Sequence, residues 1–348
     1  MSGERRLLIL AEGYSADPHY GKTARGVIRY QRHQVVAILD SQRAGETYEG
    51  IPILGSVEEA LGLRPSVALV GVATQGGRFP PAWRELLGTC IVSGLDLENG
   101  LHEFVSDDPE LSALAALHGV ELRDLRKPPE ELNVPSGANL SHGGRVVLTV
   151  GSDCAIGKMT VSLELDAESR ARDVQSLFVP TGQTGIAIAG WGISVDAVVS
   201  DFLAGAAERL VLEGLARGGE LLYVEGQGSL LHPAYSGVSL GLLHGAAPHA
   251  LVLCHLAGQR FVDDNELLPM PSLPELISLH ERSALLARPA KVVAIALNTR
   301  MLDEAAARSA IEQARAETGL PADDPVRFGP AVLTASVLER VAPPPREE

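Results

Sequence analysis

The chain has 348 residues, more than one typical domain, so we expect two domains. Aromatic residues make up only 4% of the chain, which leaves Val, Leu, Ile and Ala to build the core, and the formal net charge is −15. An acidic surface repels nucleic acid and anionic lipid, so neither is an expected partner, and an anionic ligand would need a local cationic site.

Short apolar runs alternate with helical patterns over the first 125 residues. Leu7–Leu10, Val35–Leu39 and residues 67–72 are runs typical of buried strands. The stretches GKTARGVIRY and SVEEALGL lie between them and predict helices, the second with a capping box formed by Ser56 and Glu59. Strands that alternate with helices imply a parallel sheet, so this part of the chain is predicted to be Rossmann-like.

A stretch rich in proline and glycine follows, and we interpret residues 126–142 as a linker between a domain at 1–125 and another at 143–340. The second domain repeats the alternation: RVVLTV, SLFVP, LLYV, ALVLCHL and KVVAIALN predict strands, and MTVSLELDAESRARD and DFLAGAAERLVLEGLARGG predict helices. The predicted fold class is α/β, a Rossmann-like domain followed by a doubly wound parallel sheet. The tail at 341–348 is expected to be mobile.

The first strand of the second domain ends at GSDCAIGKMT, which begins with the phosphate-binding pattern G-x-x-x-x-G-K. A strand before this loop and a helix after it aim main-chain N–H groups at one point, and Lys158 adds a full charge. We predict a phosphate site like that of P-loop NTPases, and the alternative is a glycine-rich turn with a surface lysine. The candidate cofactor ligands are Gly151, Ser152, Asp153, Cys154, Ala155, Ile156, Gly157, Lys158, Met159 and Thr160.

The residue after the lysine departs from the usual pattern. Met159 stands where Ser or Thr normally offers a hydroxyl to Mg²⁺, and a thioether is a poor magnesium ligand. Either Thr160 takes over through a shifted helix start, or this position needs no metal. Pyrophosphate can be held by N–H groups and lysine alone, whereas γ-phosphoryl transfer normally requires the metal. The loop therefore favours binding of a phosphate-bearing cofactor over hydrolysis of a nucleotide.

The first domain contains a second glycine-containing stretch, GYSADPHYGKT, at residues 13–23. Its glycines are eight residues apart instead of five, and it does not match G-x-G-x-x-G. Asp40 ends the second predicted strand and could meet a ribose, although an aspartate at that place is more often a turn or a cap. Binding of NAD by the first domain is therefore a minor alternative.

Two polar loops follow the second strand of the second domain, at the end of the sheet where ligands of such folds bind. PTGQTGIAIAGWG, residues 180–192, offers N–H groups and hydroxyls, and its alternative interpretation is a flexible turn. VDAVVSDF carries Asp196 and Asp201, which either border one cleft or serve as a solvated acid and a helix cap. The candidate substrate ligands in these loops are Thr181, Gly182, Gln183, Thr184, Gly185 and Asp196.

A third loop, VEGQGSLLHPAYSG, follows another predicted strand and is dense in polar side chains and glycines, as functional loops are. Glu225 ends the strand, and His232 precedes a proline, which favours an extended conformation. A lone histidine is often structural, and a site role is equally open here. The candidate substrate ligands of this loop are Gln227, Ser229, Tyr235 and Ser236.

The cysteines and histidines give no metal-binding pattern. Cys90, Cys154 and Cys254 are scattered without a CxxC, so a reducing, cytoplasmic setting fits best. The spacing of His244, His249 and His255 does not argue for a metal, and Asp263 with Asp264 is interpreted as a surface loop. No metal ligand is assigned. No apolar stretch approaches the roughly 18 residues of a membrane helix, so no membrane partner is expected.

Long blocks of this sequence resemble a bacterial and archaeal family long of unknown function, whose members pair a Rossmann-like domain with a P-loop domain. The blocks are LAEGYSADPHYGKTARGVIRY, GSDCAIGKMT, FVPTGQTGIAIAGWG, VDAVVSDF, VEGQGSLLHPAYSGVSLGLLHG and ALVLCH, and they cover nearly the whole chain. Some members carry the name NAD-dependent epimerase or dehydratase. Others have been associated with D-glutamate N-acetyltransferase activity, which implies acetyl-CoA as cofactor and an acidic amino acid as substrate.

The second domain is also similar, more distantly, to dethiobiotin synthetase, which has a P-loop, a strand leading to Thr-Gly and a later Val-Glu-Gly. That enzyme has a lysine where Leu177 stands here, and it keeps the hydroxyl that Met159 replaces. These two departures argue against ATP-dependent ligase chemistry. Glu225 matches the glutamate that helps to hold magnesium in such ligases, so the resemblance leaves a metal role open for it.

The resemblance and the loops together imply an N-acetyltransferase in which the P-loop holds the pyrophosphate of acetyl-CoA. Because the acceptor amine is protonated at neutral pH, the transfer needs a general base, and the candidates in order of preference are His232, Glu225 and Asp201. The N–H groups of TGQTG or GQGS would stabilise the oxyanion. The alternatives are a ligase or kinase that uses ATP with Mg²⁺, and a non-catalytic sensor of nucleotide or CoA. The expected partner is a small amino-acid substrate, and we expect a homo-oligomer.

Overall fold

The computed structural model describes residues 5–17 and 21–341, and the chain forms two compact units. The first unit ends at Lys127 and also includes Ile186–Ser194, and the second contains the remainder. The tail expected to be mobile lies outside the described residues except for Val341, and so do three residues of the GYSADPHYGKT stretch.

The first unit is a seven-stranded sheet with helices. Its strands are β1 (Leu7–Leu10), β2 (Val35–Leu39), β3 (Thr47–Tyr48), β4 (Ile51–Leu54), β5 (Val67–Val70), β6 (Asp96–Asn99) and β7 (Leu122–Asp124). Its helices are α1 (Lys22–Gln31), α2 (Val57–Leu61), α3 (Trp83–Val92) and α4 (Pro109–His118). The strand order is β3-β4-β2-β1-β5-β6-β7, and every pair is parallel except β3 with β4. The predicted Rossmann-like arrangement is confirmed.

The second unit is built on a six-stranded parallel sheet. Its strands are β8 (Arg145–Gly151), β9 (Ser176–Val179), β10 (Leu221–Val224), β11 (Ala250–Leu256), β12 (Lys291–Asn298) and β13 (Ala322–Asp323). The helices are α5 (Lys158–Ala171), α6 (Gln183–Ala189, which extends into residues grouped with the first unit), α7 (Ser200–Ala216), α8 (Ser236–Ala246), α9 (Leu273–Ser283), α10 (Glu304–Thr318) and α11 (Ala331–Val341).

The strand order β13-β12-β11-β8-β10-β9 places β8 in the middle of this sheet, with β11 on one side and β10 on the other. Because all pairs are parallel, the loops that follow β8, β10 and β11 emerge at the same edge. The loops singled out in the sequence are therefore neighbours in space. Apolar side chains of β8, β10, β11 and α5 fill the core beneath them.

Two segments are placed differently from the predicted domain boundaries. Residues 133–141, expected in a linker, fold onto the second unit: the main-chain N–H groups of Gly137 and Asn139 donate to the buried carboxylate of Glu208. Ile186–Ser194, expected in the second domain, groups with the first unit. Its main-chain carbonyls accept hydrogen bonds from Arg5, Gln31 and Arg123, which sequence patterns could not reveal.

Candidate active site

The loop between β8 and α5 has the geometry of an anion site. Ala155 and Gly157 adopt positive φ angles of 52° and 113°, which turns successive N–H groups towards the same side. Among the described residues, none accepts a hydrogen bond from the N–H groups of Ala155, Ile156 or Gly157. Helix α5 begins at Lys158 and adds the positive end of its dipole. The predicted phosphate loop therefore has free donors where a phosphate would bind.

Lys158 lies folded against this loop. Its Nζ donates to the main-chain oxygen of Asp153 at 2.6 Å, and the residue is only 7% exposed. Burial lowers the pKa of Lys158 from its usual range because removal from water disfavours the charged form. An anionic ligand next to this nitrogen would favour the charged form and so oppose the effect of burial.

Met159 and Thr160 occupy the second and third positions of α5. The helix begins directly after Gly157, so the structure has no extra residue that would bring Thr160 into the position of Met159. Consecutive residues of an α-helix are separated by about 100°, which turns the hydroxyl of Thr160 away from the direction of the Met159 side chain. The first of the two alternatives, a shifted helix start, is therefore wrong.

Three other side chains of the loop, those of Ser152, Asp153 and Ile156, are buried and hold it in place. Ile156 is 3% exposed and joins the core, and its main-chain oxygen accepts from Asn298 Nδ2 at 2.9 Å. The hydroxyl of Ser152 lies 2.9 Å from His255 Nδ1. Asp153 is 3% exposed, and its carboxylate accepts hydrogen bonds from main-chain N–H groups, including that of Asp263 at 2.7 Å. The loop is thus fixed from several elements of its own unit.

Glu225 follows β10 and is buried, with 5% of the residue exposed. Its Oε2 accepts from the N–H groups of Thr181 at 3.0 Å and Gly182 at 3.3 Å. Its Oε1 receives only a long contact, 3.4 Å, from Gln227 Nε2. One carboxylate oxygen is therefore anchored, while the other retains lone pairs that can accept a proton.

Burial raises the pKa of Glu225 to about 7, because a charged carboxylate loses solvation in this position. The N–H groups of Thr181 and Gly182 oppose this shift, as does the ammonium of Lys158, and the nearby carboxylate of Asp196 adds to it. A carboxylate that titrates near neutral pH can both accept and release a proton under ordinary conditions.

The Thr-Gly turn is packed directly on this carboxylate. A Cβ on Gly185 would overlap Glu225 Oε2, and a Cβ on Gly226 would come within 2.9 Å of Lys158 Cδ. The hydroxyl of Thr181 donates to the main-chain oxygen of Glu225 at 2.7 Å. The glycines here allow close approach of the loops, and Glu225 lies beside the lysine of the phosphate loop.

His232 is 8% exposed, and hydrogen bonds engage both of its ring nitrogens. Nδ1 accepts from the N–H of Ala234 at 3.1 Å, so in the neutral ring the proton is on Nε2, which donates to Asp263 Oδ2 at 3.3 Å. In this arrangement His232 has no free lone pair with which to take a proton from a substrate. The order of preference among the three base candidates changes, and Glu225 comes before His232.

Of the other predicted residues, two make contacts next to the phosphate loop or to His232, and the rest are located by the helix in which they lie. Ser229 is buried and its hydroxyl donates to the oxygen of Ser152, so it holds two loops together, and the ring of Tyr235 lies 4.5 Å from that of His232. Ser236 begins α8, and Gln183 and Thr184 begin α6. Asp201 is exposed in the first turn of α7, and within residues 21–341 no described hydrogen bond links it to Glu225. The substrate and base roles of these residues stay predictions.

Four residues around the phosphate loop were not predicted: His255, Gln259, Asp263 and Asn298. Asp263 had been interpreted as part of a surface loop, and it contacts both Asp153 and His232. His255 and Asn298 lie at the carboxyl ends of the buried strands β11 and β12, at the edge of the sheet where ligands bind. The strand-end position was the signal in the sequence that could have identified these two.

In the first unit, the corresponding region is filled by the protein itself. Asp40 is 1% exposed, and its carboxylate accepts from the N–H groups of Gly13 at 3.1 Å, Ser15 at 3.1 Å and Gln42 at 3.2 Å, and from the Ser15 hydroxyl. Two N–H groups after β1, those of Gly13 and Ser15, are therefore engaged by Asp40, which acts as a cap. This arrangement gives no support to the NAD alternative.

A Rossmann-like unit together with a unit that carries a phosphate loop on a parallel sheet defines a two-domain α/β protein of the P-loop class. The chain belongs to the DUF1611 family. The domain of unknown function (DUF1611_C) described as a P-loop domain matches residues 133–334, and the DUF1611_N Rossmann-like domain matches residues 39–128. The resemblance inferred from the sequence is thereby confirmed.

The chain is also similar to two relatives with a named activity and to a solved structure. The chain is 38% identical over 278 residues to a D-glutamate N-acetyltransferase from Tritonibacter scottomollicae, which covers 79% of this chain and 81% of the relative. It is 35% identical over 283 residues to a protein of the same name from Pseudoalteromonas sp., with 81% and 84% covered. A crystal structure of a DUF1611 family protein from Anabaena variabilis is 43% identical, has a TM-score of 0.89, and covers 96% of this chain and 99% of that one.

Within the described ranges 5–17 and 21–341, no helix combines the length and the apolar character needed to cross a bilayer.

Proposed function

We propose that the protein is an N-acetyltransferase that transfers the acetyl group of acetyl-CoA to the amine of D-glutamate or a related acidic amino acid. The observation that carries the proposal is Glu225, a buried carboxylate whose pKa is raised to about 7 beside the lysine of the phosphate loop. Two relatives named D-glutamate N-acetyltransferase, at 38% and 35% identity, support the choice of acetyl acceptor.

The phosphate loop supplies the cofactor site in this proposal. The pyrophosphate of acetyl-CoA would accept hydrogen bonds from the N–H groups of Ala155, Ile156 and Gly157, and Lys158 would add its charge. Because these groups act without a hydroxyl after the lysine, Met159 is compatible with this ligand. The same methionine, with Leu177 in place of a lysine, disfavours the transfer of a γ-phosphoryl group.

Glu225 would act as the general base. It takes a proton from the ammonium of the amino acid, the amine nitrogen forms a bond to the thioester carbon, and the C–S bond breaks. The nitrogen loses a second proton as it becomes the amide, the departing CoA thiolate takes up this proton and leaves as the thiol, and Glu225 releases the first proton to water. The negative charge on the carbonyl oxygen during transfer needs N–H donors, and the TGQTG and GQGS stretches remain our candidates for them.

The test is a direct assay of the full chain with acetyl-CoA and a panel of amino acids that includes D-glutamate, L-glutamate and D-aspartate. We expect release of free thiol with D-glutamate and an equal amount of N-acetylated product by mass. No thiol release with any member of the panel would contradict the proposal. Formation of ADP from ATP with Mg²⁺, lost in Lys158→Ala, would favour a ligase or kinase, the alternative that the P-loop domain and the position of Glu225 keep open.

A further inference from the structure

We propose that Asp153, Cys154 and His232 form a binding site for one thiophilic divalent cation of the Zn²⁺ class. Each residue offers a ligand atom, and the three atoms all lie within 4.8 Å of one another. In the described part of the chain, no other group of three such residues is this close. The proposal is independent of the transferase activity. No metal-binding pattern is visible in the sequence because the ligands come from two loops that are distant along the chain.

The three ligand types select the kind of cation. A thiolate, an imidazole and a carboxylate suit Zn²⁺ and similar borderline ions, whereas Mg²⁺ and Ca²⁺ prefer ligand sets made of oxygen alone. Three protein ligands leave the fourth position of a tetrahedral ion open for water or another ligand. The site differs from the magnesium position usual in a phosphate loop, which requires the hydroxyl that Met159 replaces.

The surrounding hydrogen bonds already orient the ligands. Asp153 and Cys154 are adjacent in one rigid loop, and the Asp153 carboxylate accepts from the N–H groups of Cys154 and Asp263, both at 2.7 Å. His232 is buried and its ring packs against that of Tyr235. Such contacts to the ligands of a metal fix their geometry and add to affinity.

Binding a cation would change the hydrogen bonds of one ligand. A cation at Nδ1 of His232 takes the lone pair that now accepts the N–H of Ala234. A cation at Nε2 moves the ring proton to Nδ1, and a protonated Nδ1 cannot accept that N–H. The bond from Ala234 is given up in either case. If Nε2 becomes the ligand, the Asp263 carboxylate loses its present hydrogen bond to this nitrogen.

The charges at the tip of the loop also favour a bound cation. Asp153 and Asp263 place two carboxylates beside a loop whose free N–H groups are directed at an anion, so carboxylates and anion would repel each other. Asp263 and Asp264 also adopt positive φ angles of 51° and 54°, uncommon for residues other than glycine, and the N–H of Asp263 joins this acidic segment to the loop at Asp153. A divalent cation between the carboxylates and the anion removes the repulsion.

Titration of the chelator-treated full chain with Co²⁺ tests the site, because cobalt bound to a thiolate has a characteristic near-ultraviolet absorption band. We expect one Co²⁺ per chain with this band, its displacement by Zn²⁺, and no displacement by Mg²⁺. Cys154→Ser should abolish the band and His232→Asn should weaken binding. Cys90→Ala and His118→Asn, both in the first unit, are the matched controls and should leave the titration unchanged.

A second readout covers the case in which a variant folds poorly. In the unmodified protein, Zn²⁺ should protect Cys154 from alkylation, measured by mass spectrometry of the peptide that contains it. Absence of the thiolate band, a band that persists in Cys154→Ser, or alkylation of Cys154 that Zn²⁺ does not slow would each overturn the proposal. None of these results depends on whether acetyl transfer is observed, so failure of this inference and failure of the proposed function are distinguishable.

Discussion

Two buried carboxylates, Asp40 after β2 and Glu225 after β10, stand at equivalent places in their parallel sheets and have different surroundings. Both oxygens of Asp40 accept main-chain N–H bonds, and the Ser15 hydroxyl adds a further one. Glu225 has two N–H donors on one oxygen and a single long contact on the other. A carboxylate whose two oxygens both accept several hydrogen bonds, such as Asp40, holds the surrounding loops in place. A carboxylate with one oxygen largely without donors, such as Glu225, can still accept and release a proton.

The largest expected difference concerns stability. The folded-state pKa of Glu225, about 7, lies above its ordinary value of 4.5, so the folded chain holds a proton between these pH values that the unfolded chain releases. The stability due to this group is therefore present below pH 4.5 and is lost as the pH rises to about 7, a change of roughly 3 kcal/mol. Denaturant unfolding at pH 5 and pH 8 measures the free energy of unfolding of Glu225→Gln and of the unmodified chain. From pH 5 to pH 8, the free energy of the variant should rise by about this much relative to that of the unmodified chain. Equal differences at both pH values would contradict the account.

The next expected effect is on cofactor affinity. Lys158→Ala removes a charged partner from the phosphate loop, which should weaken binding of CoA by roughly 10- to 100-fold, because a hydrogen bond to a charged group contributes about 1.5–3 kcal/mol. Calorimetric titration with CoA measures this loss. Lys291→Ala is the matched control, since that lysine is exposed and pairs with Glu281. Unchanged affinity in Lys158→Ala would mean that the ligand binds elsewhere.

The smallest expected effect is that of replacing Asp40, whose two carboxylate oxygens both accept N–H bonds. Asp40→Asn keeps the size of the side chain but leaves part of the N–H donors of Gly13, Ser15 and Gln42 without a good acceptor, which should cost about 1–2 kcal/mol of unfolding free energy. Denaturant unfolding measures the loss, and CoA affinity should be unaffected. Weaker CoA binding in this variant would show that the loop after β1 takes part in the site and that the contrast between the two carboxylates is wrong.

The sequence predicted features that depend on local pattern. The phosphate loop is contained in ten consecutive residues, and apolar runs located β1, β2, β8 and β11 within a residue or two. Ser56 accepts from the N–H of Glu59 as predicted, although the Glu59 side chain bonds to Gly55 instead of returning to Ser56. Patterns with a period of two or 3.6 residues are visible in a single stretch of sequence.

Features that depend on distant partners could not be predicted. Strand β6 reads DLEN, which lacks an apolar pattern, and Glu98 is buried there because Arg5 and Arg123 pair with it. The contact of Asp263 with Asp153 joins residues 110 positions apart, and that of Asn298 with Ile156 joins residues 142 apart. Burial of a charged strand and closure of a site both depend on tertiary contacts, which a single sequence does not display.

The role of Glu225 as the base is tested most directly by the pH dependence of acetyl transfer from acetyl-CoA to D-glutamate, measured for the unmodified chain and for Glu225→Gln. The rate of the unmodified chain should rise with pH through a midpoint near 7, where the carboxylate loses its proton. The variant should be roughly 10²- to 10⁴-fold slower and should lack this rise. A variant that keeps both the rate and the rise near pH 7 would contradict the account.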